Sequence, residues 1–389
     1  MNSLRDIVES SPQLRALRML SVHGEDGPGR VSVGGAPEAL GPPRWNWDRV
    51  ERVLVVKLRS IGDTVLSTPS LFALKRFLPN ASIDILLEDW VAPVLDGHPH
   101  VDNILTITKG STAARVRMVR RLRANRYDVV YNLHGGTTAT MLAWASGAKH
   151  RVGYASYQYG LLHNHVAPSP LLLWRRDKVH SVEQQLALLG WTGVPVSDRP
   201  PTSLAVTNAA AENIATRLAG LGLDQTTFAV VHPAAAFATK QWAAQNFSRV
   251  IDELKRLQLP VVLIATEREA STIAEIKQHT DTEVQALTNL SLPQITAILS
   301  RARLFVGNDS GIAHMAAAVK TPSVVIFGSS NRAHWSPWAQ SAAEVVYEEM
   351  DCQPCHGYFC EKFDEPECIK RVPVERVTAT IERVLRESV

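Results

Sequence analysis

Three loops carry groups that could bind and transfer a phosphorylated substrate, and each follows a short apolar run. The first, KLRSIGDTVLSTP (57–69), sets Asp63 directly after Gly62. Gly62 frees the backbone in a tight turn. A carboxylate at the start of the next helix can cap it, or it can accept a proton from an attacking hydroxyl, which is a poor nucleophile until a base removes that proton. The second, VGNDSGIAHMAAA (306–318), passes through Asp309, Ser310 and Gly311 into an Ala-rich stretch. Amides of Ser310, Gly311 and Ile312 at a helix N-terminus favour a pyrophosphate through both dipole and donors. His314 lies one turn in, where a packed histidine is commoner than a catalytic one. The third, HPAAAFATKQW (232–242), offers Thr239 and Lys240; a lysine there would balance a leaving diphosphate without a metal, its competing reading being a solvated loop residue.

Weaker signals accompany these. His134-Gly135-Gly136 ends the apolar run YDVVYNL, and Glu267 and Glu269 follow PVVLIAT, where a carboxylate often takes ribose hydroxyls. No GxGxxG fingerprint follows the first strand, which argues against a nicotinamide enzyme. All four cysteines, Cys352, Cys355, Cys360 and Cys368, fall in one C-x2-C-x4-C-x7-C segment. That spacing suits a structural zinc or iron ion; two disulfides or packed free thiols compete with it. From Lys109 to Arg126 there are seven basic residues and no acidic one. Such a run is either a solvated helix face or an attractor for a phosphorylated acceptor or an anionic leaflet.

The elements that must position these groups alternate in kind. Apolar, β-branched runs at 52–58, 82–88, 103–108 and 127–133 read as strands, with helices over 64–78, 115–124 and 137–146. A second series has strands at 228–233, 260–266, 303–309 and 323–328, with helices over 247–257, 267–277 and 311–319. Further helices read at 181–190 and 209–221. Alternation of this kind predicts βαβ units and parallel sheets, so the fold class is α/β with two Rossmann-like doubly wound domains. Ligands of such domains bind at the carboxyl ends of the strands, which is where the three loops lie.

The chain has 389 residues, 45% of them hydrophobic and 20% charged. Two domains of about 150–200 residues fit that length. The division expected is an extension at 1–48, flexible and Gly/Pro-rich over 24–43, then domains at 50–205 and 206–372. A terminal helix at 373–389 would cross back to the first domain. A net charge of +3 argues against a nucleic-acid partner. Charges interrupt every apolar stretch of the N-terminus, and no run reaches the ~18–20 residues that span a bilayer, so a cytoplasmic location is expected, with peripheral contact at the inner membrane.

Taken together, VLVVKLRSIGDTVLSTPSLFALKRFLP, KQW and FVGNDSGIAHMAAAVKTPSVVIFG resemble glycosyltransferase family 9, the ADP-heptose:lipopolysaccharide heptosyltransferases. The resemblance runs from about 52 to 385 and includes the Cys-rich segment before IKRVPVERV. It implies a GT-B fold, with an N-terminal acceptor domain and a C-terminal donor domain, and inverting transfer of heptose from ADP-heptose to lipopolysaccharide core without a required cofactor. By resemblance Asp63 falls on the general base and Lys240 on the lysine near the donor phosphates. Asp309, Ser310 and Gly311 fall on the donor-binding helix start, and Glu269 on the ribose carboxylate. Two features depart from the family: Ala234-Ala235-Ala236 stands where a glycine and a hydroxyl residue are usual, and Ala243 replaces the proline of K-x-W-P. Another nucleotide-sugar donor, a protein acceptor, or epimerisation on the same scaffold are the alternatives.

Overall fold

After Arg52, VLVV leaves no polar position, so the strand it forms is covered on both faces, as in a parallel sheet. The computed structural model describes residues 36–355 and 358–388, and this strand is β1 (Arg52–Val56), with Val53 to Val56 fully buried. With β2 (Ser82–Glu88), β3 (Asn103–Ile107), β4 (Val129–Asn132), β5 (His150–Tyr154) and β6 (His165–Ala167) it builds a sheet of order β3-β2-β1-β4-β5-β6. The second sheet uses β7 (Ala229–His232), β8 (Val261–Ala265), β9 (Gln285–Thr288), β10 (Leu304–Asn308), β11 (Ser323–Phe327) and β12 (Ala343–Tyr347), in the order β12-β11-β10-β7-β8-β9. Every pairing is parallel. Both sheets are doubly wound, and the winding reverses between β1 and β4 in one and between β7 and β10 in the other.

The first lobe carries α1 (Ile61–Val65), α2 (Thr68–Phe77), α3 (Thr112–Asn125), α4 (Thr137–Ala145), α5 (Pro170–Trp174) and α6 (Ser181–Gly190). The second carries α7 (Asn208–Gly220), α8 (Ala244–Arg256), α9 (Ala270–Gln278), α10 (Leu292–Arg301), α11 (Gly311–Ala318), α12 (Arg332–Trp335), α13 (Glu367–Lys370) and α14 (Val374–Glu387). The single helix expected over 64–78 is two. Pro69 occupies the start of α2, where a missing N–H costs nothing, and the chain breaks at Leu66–Ser67 just before it.

Two expectations about the ends are corrected. Residues 36–48 are not a flexible extension: Leu40 donates its amide to Gly190, Trp47 is buried with Nε1 donating to the Thr192 carbonyl, and Trp45 stacks on His150. Residues 1–35 lie outside the described residues. Helix α14 does not cross back to the first lobe. Its stripe Val374, Val377, Ile381 and Val384 packs with Phe247, Val324, Ile326 and Val346 of the second lobe. Arg303 ties its end down through the carbonyls of Leu385 and Ser388. The second sheet needs a cover on that face, and the nearest amphipathic helix supplies it.

The lobes do not meet through a thin linker alone. One buried apolar cluster holds Val53, Ile83 and Leu186 together with Phe228, Ile298, Met315 and Phe327. His180 Nε2 meets the Ser336 carbonyl at 2.8 Å, Thr202 donates to the Trp338 carbonyl at 2.6 Å, and Trp338 Nε1 donates to the Pro200 carbonyl at 3.0 Å. Apolar contact of this kind stiffens a junction that polar contacts alone would leave mobile.

Candidate active site

Each reversal point sends its loop toward the other lobe. Asp63 sits in the first turn of α1, after β1, but it does not cap that helix through the backbone. Oδ1 pairs with Lys57 Nζ at 2.8 Å and Oδ2 accepts from the Ser60 hydroxyl at 3.0 Å. Lys57 is buried at the end of β1 and also donates to the Leu133 carbonyl at 3.1 Å. Burial would raise the Asp63 carboxyl, but the Lys57 ammonium, the bonds from Lys57 and Ser60 and the nearby His134 together hold it below its ordinary range. His134, at the end of β4, is itself pushed down to about 4 by burial and the Lys57 charge, so it is neutral near pH 7.

On the second lobe, Asp309 follows β10 and is 5% exposed. It pairs with Lys240 Nζ at 2.8 Å and accepts from the Ser330 hydroxyl. The loop carrying Lys240 is fixed from below: Asn308 donates to the Pro233 carbonyl at 2.8 Å and accepts from the Trp242 amide at 3.2 Å, and Ala235 donates its amide to Gln241 at 2.8 Å. Trp242 is wholly buried core, with Nε1 on the Val372 carbonyl. Ser310 begins α11 with no capping bond from its own hydroxyl, which lies 3.5 Å from His232 Nδ1. Nothing in Ser310 therefore competes with a ligand for the first-turn amides of α11. His232 is pushed down to about 4 by burial, against the opposing influence of Glu269. Glu269 follows β8, half-buried, and accepts from the Thr266 amide at 2.7 Å.

The two halves meet at glycine. A methyl group on Gly311 would lie 2.8 Å from Ile61 Cβ, and one on Gly62 would lie 2.7 Å from His314 Cδ2. Gly62 is therefore not a turn glycine, as its sequence context suggests; it sits inside α1, and its small size lets α11 approach. His314 is buried between the two ion pairs, and its Nδ1 has no hydrogen-bond partner. Burial lowers it, while Asp309 and Asp63 pull upward and Lys240 downward. The sequence expectations for Asp63, Lys240, Asp309, Ser310, Gly311 and His314 thus converge on one junction. Thr239 is different: it is buried, and its hydroxyl already accepts from Ser329 at 2.9 Å.

Lys57, Ser60 and Ser330 escaped the sequence reading. The signal for Lys57 was present, since a lysine closing the apolar run VLVV must be buried beside a partner. Ser330 follows β11 and reaches Asp309 only through the fold. Beside Asp63, a cavity of about 580 Å³ opens at the carboxyl ends of the first sheet, lined by Arg59, Glu88, Lys109, Arg115, His134 and Tyr157 among others.

The expected four-thiolate metal shell is not assembled. All four cysteines are free, and Cys355 Sγ donates to the Cys352 carbonyl at 3.1 Å. Among the described residues no three His, Cys, Asp or Glu side chains converge as metal ligands. The thiols do sense one another: burial and then the neighbouring cysteines raise Cys355 and Cys368. Among the described residues no helix is long and apolar enough to cross a membrane.

Residues 115–363, well over half of the chain, match the family described as glycosyltransferase family 9 (heptosyltransferase). The chain is 28% identical over 347 residues to lipopolysaccharide heptosyltransferase 3 of Escherichia coli K12, covering 85% of this chain and 97% of that protein. Among solved structures, E. coli ADP-heptose lipopolysaccharide heptosyltransferase II aligns with TM-score 0.71 at 22% identity, over 86% of this chain and 99% of that one. The dodecameric iron-containing heptosyltransferase TibC of E. coli, solved with ADP-D-beta-D-heptose, aligns with TM-score 0.53 at 16% identity, over 87% of this chain and 77% of that one. Two doubly wound lobes that meet through their reversal-point loops are the GT-B arrangement, and with a family match across both lobes the chain belongs to glycosyltransferase family 9, the heptosyltransferases, and is a glycosyltransferase.

Proposed function

We propose that this enzyme transfers a heptose from ADP-heptose to a hydroxyl of lipopolysaccharide core, with inversion at the anomeric carbon and without a catalytic metal. The observation that carries the reading is the pair of oppositely built ion pairs on either side of His314. Asp63, ionised by Lys57, presents a base on the first lobe; Lys240, held by Asp309, presents a cation on the second. The acceptor hydroxyl loses its proton to Asp63 as its oxygen attacks the anomeric carbon, and the bond to the diphosphate oxygen breaks. ADP leaves toward the first-turn amides of α11, where Ser310 and Gly311 stand, with Lys240 balancing the developing charge. In this reading Glu269, after β8, takes the ribose hydroxyls. The cavity beside Asp63 takes the acceptor, which supports reading the first lobe as the acceptor side and residues 206–372 as the donor side.

The donor relationship is supported by the names of the relatives. The two alanine departures, Ala234-Ala235-Ala236 and Ala243, lie on the donor lobe, so the nucleotide is the first thing to test. Titration calorimetry with ADP, UDP, GDP and CDP should give selective ADP binding, weakened by Lys240→Ala. ADP release from ADP-heptose should then require a core acceptor. Preference for UDP or GDP, or turnover of donor alone to an epimer, would overturn the assignment. The cytoplasmic side is the location proposed for the reaction.

The Cys-rich segment is proposed as a structural site for zinc or iron. Four free thiols in one short segment, with Cys355 and Cys368 raised by burial and then by the neighbouring cysteines, are a donor set that a divalent cation would draw together. Metal content of the purified protein, with and without the four cysteines replaced by serine, decides it.

A further inference from the structure

The basic run and a set of exposed apolar side chains share one helical layer over the first sheet. Helix α3 turns Met118 and Leu122 inward and leaves Arg115, Arg117, Arg120, Arg121 and Arg123 exposed. Arg123 Nε donates to the Ala145 carbonyl at the end of α4 at 2.9 Å, which sets the two helices side by side. Helix α4 points Met141 and Trp144 outward, one turn apart, at 40% and 49% exposure. The 3-10 turn Gly160–Leu162 packs on α4 and leaves Leu161 96% exposed.

This face carries almost no opposing charge. Residues 109–167 hold nine Lys or Arg and one carboxylate, Asp128. Asp128 is already occupied: its Oδ2 accepts from the amides of Glu51 and Arg52 at 3.0 and 3.2 Å, and Lys149 lies 3.5 Å from its Oδ1. What remains outside is cationic, with large apolar side chains standing among the arginines.

We propose that this face docks on a bilayer containing anionic lipid. The arginines of α3 meet headgroup phosphates, while Trp144, Met141 and Leu161 enter the interfacial layer, where an indole beside cationic side chains is favoured. Leu161 argues for a bilayer over an acidic protein. A side chain so fully exposed is accommodated by a deformable apolar medium, whereas a protein partner would have to offer it a matching recess. The position of the face supplies the second argument. The cavity beside Asp63 is lined by Lys109 and Arg115 at the start of α3, by Thr137 and Thr138 at the start of α4, and by Tyr157 and Gln158. The same helices that meet the bilayer therefore rim the cavity, and a sugar anchored in the bilayer by lipid would enter it from the edge. Only that last step rests on the proposed acceptor; the docking itself does not.

The test is co-sedimentation of the full chain with vesicles of phosphatidylcholine alone and of phosphatidylcholine mixed with phosphatidylglycerol. Binding is expected to the mixed vesicles only and to fall as salt is raised. The triple variant Arg117→Gln, Arg120→Gln, Arg121→Gln should weaken it about tenfold or more. The double variant Trp144→Ser, Leu161→Ser should weaken it with the charge intact. Unchanged thermal unfolding and unchanged turnover of a delipidated core acceptor show that both variants remain folded. Absence of binding to the mixed vesicles, equal binding to neutral ones, or indifference to both variants would overturn the proposal, as would capture of an acidic soluble protein by a chain that ignores vesicles. Absence of vesicle binding by the unsubstituted chain with turnover intact condemns the docking face alone; absence of turnover with vesicle binding intact condemns the proposed reaction alone.

Discussion

Lys57 and Asp63 form a 2.8 Å ion pair at the end of β1, the lysine buried and the carboxylate partly open. The pair works against the basicity of the carboxylate, since an ammonium and a hydroxyl both stabilise its ionised form. What it supplies is a carboxylate that stays ionised in a site where burial alone would raise it. Replacing Lys57 with Met should remove that opposition and raise the Asp63 carboxyl. The acidic limb of kcat/KM should then move to higher pH and the maximum rate should fall. An unmoved limb would show that Lys57 does not set the ionisation of Asp63.

The same lowered carboxyl fixes the sign of a stability effect. A group whose folded pKa lies below its unfolded one contributes stability above the unfolded value, and that contribution is lost as pH falls through the folded one. The Asp63 contribution is therefore full above about pH 4, near the ordinary carboxylate value, and disappears below it. Comparing the acid unfolding of wild type and Asp63→Asn should show the two curves converging at the lowest pH. His134 and His232, both near 4, are neutral above that range and should add no titration to kcat/KM between about pH 5 and 8.

Asp63→Asn should lower turnover roughly 10²–10⁴-fold while ADP binding is retained, because the amide keeps the shape and loses the base. Calorimetry on the same preparation separates the two effects. Near-normal turnover would remove Asp63 from the role of base.

Lys240→Ala should weaken ADP binding by roughly 1.5–3 kcal/mol, the usual contribution of a hydrogen bond to a charged group. Asp309→Asn should act in the same direction more weakly, since Lys240 would lose its anchor and keep its charge.

Gly311→Ala should strain the junction, with its methyl carbon 2.8 Å from Ile61 Cβ, and cost about 1–3 kcal/mol of stability. Adding Ile61→Ala should return part of that loss. Thermal unfolding of the two single variants and the double variant reads the coupling directly. Additive effects would mean that the lobes do not meet there in solution.

Ala243→Pro should stabilise the protein by about 0.4–1 kcal/mol. Ala243 precedes α8 with φ −63°, the angle a proline ring imposes, and ψ 141°. The departure from the family's K-x-W-P is thus a residue lost from a position that still has proline geometry, rather than a changed loop.

Strongly apolar, β-branched runs were readable as strands because a parallel sheet buries both faces, and β1, β2, β7, β10 and β11 fall where their composition places them. β5, β6, β9 and β12 were not readable. HRVGY begins with two polar residues, HVA is three residues long, and QALT and AEVVY are only partly buried, so none carries a period or a run that distinguishes it from loop. The helix α14 was legible as an amphipathic helix, but the lobe it covers was not, because its stripe fits any apolar surface.

The sequence by itself determined two doubly wound units with candidate polar groups in the loops after β1, β7 and β10, since strand composition, small residues and helix starts are local properties of the chain. It also determined the residue types available there: a carboxylate at 63, a lysine at 240, and an Asp-Ser-Gly helix start at 309–311. Only the tertiary structure decided what each of them touches. Asp63 was as readily a helix cap until Lys57 and Ser60 were found on its oxygens, Lys240 as readily a solvated lysine until Asp309 was found to hold it, and Gly62 a turn residue until His314 was found against it. Ionisation, orientation and close approach depend on partners that lie far apart in the chain, and a pattern along one dimension does not contain those distances.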